Sequence, residues 1–236
     1  MAKQNVIKNN KFKNAFKIAA AALCAAAIVA IVIITGRQNA DKAEKTLNTT
    51  VMGTTASITV YGRNGSDIID DIMDLENNLD EKVISWRSDG SEVWNINHSY
   101  KAGEDYQISD ELADVLERTL EISEDNGDLL DITIRPLAEV WGIESGSTNV
   151  PSQTDIDAAL SDVDVTQVTC ISAKNSSDGK PYVNIAKEGM SLDFGAVGKG
   201  YGCDVAADYL EETSVTGACV ALGGSIMVYG SKSDGS

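Results

Sequence analysis

The sequence is short of histidine, aromatic residues and, beyond its first segment, positive charge. A single histidine, His98, excludes multi-histidine metal sites and leaves little for a Ser/His/Asp triad. It falls in a polar stretch and reads as a surface residue. Four cysteines are present, and Cys24 sits in an apolar run. That leaves Cys170, Cys203 and Cys219, an odd number with no C-x-x-C spacing. A disulfide framework or zinc site is therefore not expected, and these thiols read as small core residues. From residue 41 onward there are 13 basic against 36 acidic residues. Such a domain repels nucleic acid and anionic lipid, so no nucleic-acid partner is expected. With only three tryptophans and three phenylalanines, an aromatic residue in a polar loop stands out. Neither an internal repeat nor a low-complexity tract is present.

What is present is uneven. No acid precedes Asp41, while Lys3, Lys8, Lys11, Lys13 and Lys17 lead into an uncharged run from Ile18 to Thr35. The charge asymmetry predicts an inside N-terminus and an outward-facing remainder. Residues 1–15 then read as a cytoplasmic basic tail, 16–36 as one transmembrane helix, 37–48 as a polar linker and 49–236 as the folded domain. An uncleaved single-pass anchor in the cell membrane is expected, with a cleaved signal peptide as the alternative.

Along the domain, residues 49–62 predict a strand or hairpin. Apolar residues at helical spacing (Ile68, Ile69, Ile72, Leu75, Leu79, Val83) predict a helix over 66–84. Residues 85–97 read as a polar turn carrying Trp86 and Trp94. Helices are predicted from Ser109 to about Ser123, at 136–141 and at 154–160. Strands are predicted at 129–134, 165–171, 181–193 and from Ala218 through Gly223-Gly224 to Tyr229. Mixed elements without strict alternation indicate an α+β fold, a mixed sheet with flanking helices.

The densest chemical signal is Ser191-Leu-Asp-Phe-Gly-Ala-Val-Gly-Lys-Gly-Tyr-Gly202. Asp193 precedes Lys199 by six residues, with small residues between them and a helical pattern after them. Such a turn exposes backbone N–H groups at a helix start and suits a phosphate. It matches neither the P-loop nor the G-x-G-x-x-G spacing, and a glycine-rich connector with a solvated lysine is the alternative. Trp86, beside Arg87, can stack on a planar ring or simply cover a core. Gly223-Gly224 permits close approach of a ligand to the backbone or marks a bulge.

Five blocks, in order, resemble the ApbE family of FAD:protein FMN transferases. They are Val51-Met-Gly-Thr54; Ser85-Trp-Arg with Ser91-Glu92 and Asn97; Gly127 to Leu137 with Trp141-Gly142; Asp193 to Tyr201; and Leu222-Gly-Gly224. The resemblance implies an ApbE-like, T-fold-related domain. It also implies transfer of FMN from FAD to a Thr or Ser hydroxyl of an acceptor, with release of AMP and with magnesium as the metal. The implied acceptor is an exported electron-transfer protein. By resemblance, Met52 and Trp86 border the flavin. Leu129, Leu130 and Asp131 line the cofactor, Asp193 and Lys199 hold FAD, and the Ala196 carbonyl binds the metal. A flavin-binding module or an FAD pyrophosphatase is the alternative. The family's later H-x-x-D-P-x-T-G segment does not occur before Ser236, so a C-terminally incomplete copy is expected.

Overall fold

The computed structural model describes residues 22–36 and 43–232. Residues 22–36 form helix α1, whose apolar side chains are exposed, Leu23 to 72% and Ile28 to 61%. Among the described residues no helix is long and apolar enough to cross a membrane. The start of the expected span, at 16–21, and the basic tail lie outside the described residues.

Two antiparallel sheets carry the domain. The first has the order β1-β2-β6-β7, formed by Glu44–Val51, Thr54–Tyr61, Gly217–Leu222 and Ser225–Gly230. Alternation in β2 puts Ala56, Ile58 and Val60 on one face, and these residues pair directly with Leu222, Val220 and Ala218 of β6. All six are buried. Burial of a side chain such as Ile58 contributes roughly 1.5–3 kcal/mol, so this ladder fixes the register. Helices α2 (Gly65–Asn78) and α7 (Gly198–Glu211) pack against this sheet and each other.

The second sheet has the order β3-β5-β4, formed by Asp105–Gln107, Tyr182–Ile185 and Val168–Ile171. Its core takes Val93 and Ile96 from α3 (Glu92–Ser99) and Leu112, Val115 and Leu116 from α4 (Asp110–Asp125). Two short helices, α5 (Arg135–Trp141) and α6 (Gln153–Leu160), pack together beside it. Met52 touches both hydrophobic cores.

Several sequence expectations change. The linker assigned to 37–48 includes the start of β1 at Glu44, because Lys45–Thr50 pairs with β2. The expected hairpin is present, and its turn residues Met52 and Gly53 both have positive φ (50° and 67°), as a tight two-residue turn requires. The helix predicted over 66–84 changes at Leu79–Ile84 into a π-helical turn. Residues expected to be a polar turn form α3, because Ser91 caps it by accepting a bond from the Trp94 N–H. His98 therefore lies on that helix, exposed as expected and stacked on Trp94. Residues 129–134 form a turn, and only Ile134 bridges to Ser191. The final strand is instead the β6–β7 hairpin, with Gly223 at φ 58° in its turn. Strand β3 carries no sequence signal of its own.

Candidate functional site

Local packing explains how the site is assembled. Leu192 and Phe194 are each 1% exposed and anchor both sides of Asp193. Strand-like alternation then turns Asp193 away from the core, toward a cavity. Asn97 clamps the same segment: its amide donates to the Leu192 carbonyl at 2.9 Å and its oxygen accepts from the Leu192 N–H at 2.7 Å. Asp193 Oδ1 accepts from the Gly195 N–H at 2.7 Å and bends the chain into the glycine turn. Helix α7 opens at Gly198 without a side-chain cap. Among the described residues, the Lys199 and Gly200 amides of its first turn have no hydrogen-bond partner. Lys199 Nζ reaches back to the Gly195 carbonyl at 3.1 Å. Cation and free amides thus share one short turn, the arrangement that binds a phosphate.

The opposite wall comes from the end of the π-helical turn. Its extra residue per turn redirects the chain and delivers Ile84, Ser85 and Trp86. Ser85 Oγ accepts from the Arg87 and Ser88 N–H groups, each at 3.2 Å, and the Ser91 hydroxyl donates to the Ser85 carbonyl. This network holds Trp86 half-buried against the second core. Met52 enters from the β1–β2 turn, beside Asp80 in the cavity wall. Burial raises the Asp80 pKa, and Arg87 opposes that rise.

A cavity of about 230 Å³ brings Met52, Trp86, Asp193 and Lys199 together. Asp80, Arg87 and Glu144 also face it, although sequence reasoning gave them no role. Arg135 was missed as well. Its guanidinium carbon lies 3.1 Å from the Trp86 ring centroid, and its Nη1 lies 3.9 Å from Asp193 Oδ2. Its i,i+4 spacing from Glu139 was the available signal.

The remaining expected residues do not line the cavity. Leu129 is 88% exposed, and the Leu130 carbonyl accepts the Ser123 hydroxyl at 2.6 Å. Asp131 spends both oxygens on structure. Oδ1 accepts from the Thr133 N–H and hydroxyl at 2.7 and 2.6 Å, and Oδ2 accepts from the Val165 N–H at 3.0 Å. Ala196 is exposed on the glycine turn, beside the cavity rather than in its wall. Its carbonyl offers a metal one ligand. Among the described residues, no group of three or more His, Cys, Asp or Glu side chains could complete a site. Magnesium completes its octahedron largely with water and ligand phosphates, so a metal at the Ala196 carbonyl would take its other oxygens from those.

A buried carboxyl lies behind the site. Glu76 follows Ile69 and Ile72 on the inner stripe of α2, is 0% exposed, and among the described residues neither of its oxygens has a hydrogen-bond partner. Burial and the neighbouring Asp80 push its pKa up to about 7. A side chain at Gly202 of α7 would meet Glu76 Oε2 at 2.3 Å, so the Glu76 carboxyl would have to shift to admit one.

Comparison with known proteins bears on this arrangement. The family model of the ApbE family matches residues 52–236. FAD:protein FMN transferase of Escherichia coli strain K12 is 25% identical over 158 residues, covering 66% of this chain and 44% of the relative. The enzyme of the same name from Treponema pallidum is 29% identical over 187 residues, covering 77% of this chain and 51% of the relative. The chain thus spans about half the length of these relatives. Among solved structures, flavin transferase ApbE from Vibrio cholerae superposes with a TM-score of 0.71 at 23% identity, covering 82% of this chain and 61% of that one. The ApbE protein of Thermotoga maritima gives 0.67 at 25% identity, covering 79% and 59%.

Proposed function

The chain belongs to the ApbE family, and from that premise we propose that it is part of an FAD:protein FMN transferase. The observation that carries the reading is the shared cavity of Met52, Trp86, Asp193 and Lys199. The names of the relatives from E. coli and T. pallidum support it.

In this reading the flavin ring lies against Trp86, with Met52 at its edge. The diphosphate lies at the start of α7, where Lys199 and the free amides of Lys199 and Gly200 offset its charge. Asp193 orients the ligand through hydrogen bonds from polar hydrogens of FAD. The acceptor's Thr or Ser oxygen forms a bond to the flavin-side phosphorus. The bond from that phosphorus to the bridging oxygen breaks, AMP leaves with the bridging oxygen, and the hydroxyl proton passes to solvent. The protein holds phosphorus and hydroxyl in line and neutralises charge that develops on the phosphate oxygens. Magnesium enters the proposal only as a partner of the Ala196 carbonyl, and none of these steps is assigned to it.

The acceptor is proposed to be an exported protein, with this domain outside the cell membrane and residues 16–36 as its anchor. The lysines before the uncharged run and the exposed apolar side chains of α1 support that part. Incubation of the full chain with FAD, magnesium and a candidate acceptor is expected to yield a flavin-fluorescent acceptor band on a denaturing gel. AMP release without any labelled acceptor would favour FAD hydrolysis. FAD retention with neither product would leave a binding module.

A further inference from the structure

Arg135 occupies the indole face that the ligand needs. Its guanidinium carbon is 3.1 Å from the Trp86 centroid, at ring-stacking distance. A planar guanidinium lies on an aromatic face much as a ring does, so a flavin and Arg135 cannot share that face. Behind Arg135 lies a second cavity of about 170 Å³, lined by Arg135, Glu139 and Gly142 and sharing Glu144 with the first. Neither cavity reaches the roughly 300 Å³ at which pockets for drug-sized ligands begin.

We infer that Arg135 is a gate: it holds the place of the flavin ring on Trp86 and moves off when the ring binds, joining the two cavities. The inference rests on the flavin reading above. The contacts that hold the gate suit a part that moves. Asp193 Oδ2 and Glu144 Oε1 lie 3.9 and 3.7 Å from Nη1, too long for strong hydrogen bonds. The short contact, 2.7 Å from Nη2 to Glu139 Oε1, is an i,i+4 pair on α5. A side chain that leaves the indole can keep that partner. The Arg135 side chain is only 12% exposed, so its departure uncovers the buried ring face rather than an open surface.

Riboflavin tests the gate because it carries the ring without phosphate. Its affinity is read by flavin fluorescence on the full chain, for wild type, Arg135→Ala and Arg135→Lys. Lysine keeps the charge beside Asp193, Glu139 and Glu144 but loses the flat stack, so it carries the test if alanine disturbs folding. Both variants are expected to bind riboflavin about tenfold more tightly than wild type, within the range a desolvated cation–π contact implies. If wild type binds and the variants bind equally or more weakly, the gate is overturned and the flavin site stands. If no form binds riboflavin or FAD, the flavin reading fails and the gate falls with it.

Discussion

Two turns in this molecule begin with the same local device and serve different ends. In one, Asp131 Oδ1 accepts from the N–H two residues on, at Thr133; in the other, Asp193 Oδ1 accepts from the N–H two residues on, at Gly195. The turns are adjacent, joined by the Asp193 N–H to the Ile132 carbonyl at 2.7 Å and by the Ile134–Ser191 bridge. Their second oxygens differ. Asp131 Oδ2 ties down the Val165 N–H, whereas Asp193 Oδ2 faces Arg135 and the cavity. An aspartate in a turn therefore does not identify a binding residue. Its unused oxygen does, and the surrounding segments decide whether one remains.

Substitutions can break this contrast. Asp193→Ala is expected to lower transfer by about 100- to 1000-fold, the usual loss when a positioned polar group is removed from a transition state, with a stability loss of about 1 kcal/mol because only the Gly195 N–H loses its acceptor. A kinetic assay beside a urea titration checks both halves. Asp131→Ala is expected to reverse the pattern, losing about 3 kcal/mol of stability because the Val165 and Thr133 N–H groups lose a charged acceptor. Riboflavin affinity of the folded fraction should stay near wild type. Equal effects of the two variants on stability would erase the distinction.

Glu76 extends the contrast to a carboxyl that serves neither end. Its folded pKa, about 7, exceeds the ordinary 4.5, so the native state holds the proton more tightly than the unfolded chain. The Glu76 contribution to stability is thus fullest below about pH 4.5, falls as pH rises to about 7, and is level above that. The loss is at most about 3 kcal/mol. Glu76→Gln removes the titration and should be more stable than wild type by about 2 kcal/mol at pH 8, with near parity at pH 4.5. Denaturant midpoints at both values measure it, and parallel pH profiles would refute it. The smallest effect is expected from Thr133→Val. The Thr133 hydroxyl donates to Asp131 and accepts from the Asp164 N–H at 2.8 Å. Its loss should cost about 1–2 kcal/mol and leave Asp193 and riboflavin affinity unaffected.

Much of the site was legible. The spacing of Asp193 and Lys199 and the Trp86 indole beside Arg87 pointed to residues that share the cavity, and the family resemblance added Met52. The Ser91, Glu92 and Asn97 block was legible as a motif but not in its role, which is structural. Ser91 caps α3, Glu92 accepts the Ser109 N–H at 2.7 Å and Asn97 clamps Leu192. Leu129, Leu130 and Asp131 share one turn outside the cavity, and nothing in sequence shows which way each side chain faces. Glu76 left one trace, an acid in the heptad stripe of Ile69, Ile72 and Leu79, which reads equally well as a helix-surface residue.

The amino-acid order alone determined what depends on near neighbours. It set the alternation of β2 and β6, the apolar stripe of α2, the paired left-handed turn at Met52-Gly53 and the glycine turn before α7, because backbone sterics and short-range periodicity act within a few residues. Only the tertiary structure decided which groups meet. Arg135 lies on Trp86, Glu76 lies under Gly202, and Asp131 is spent on Val165 while Asp193 is not. These contacts join residues 34 to 126 positions apart, and their geometry follows from how two cores pack around Met52.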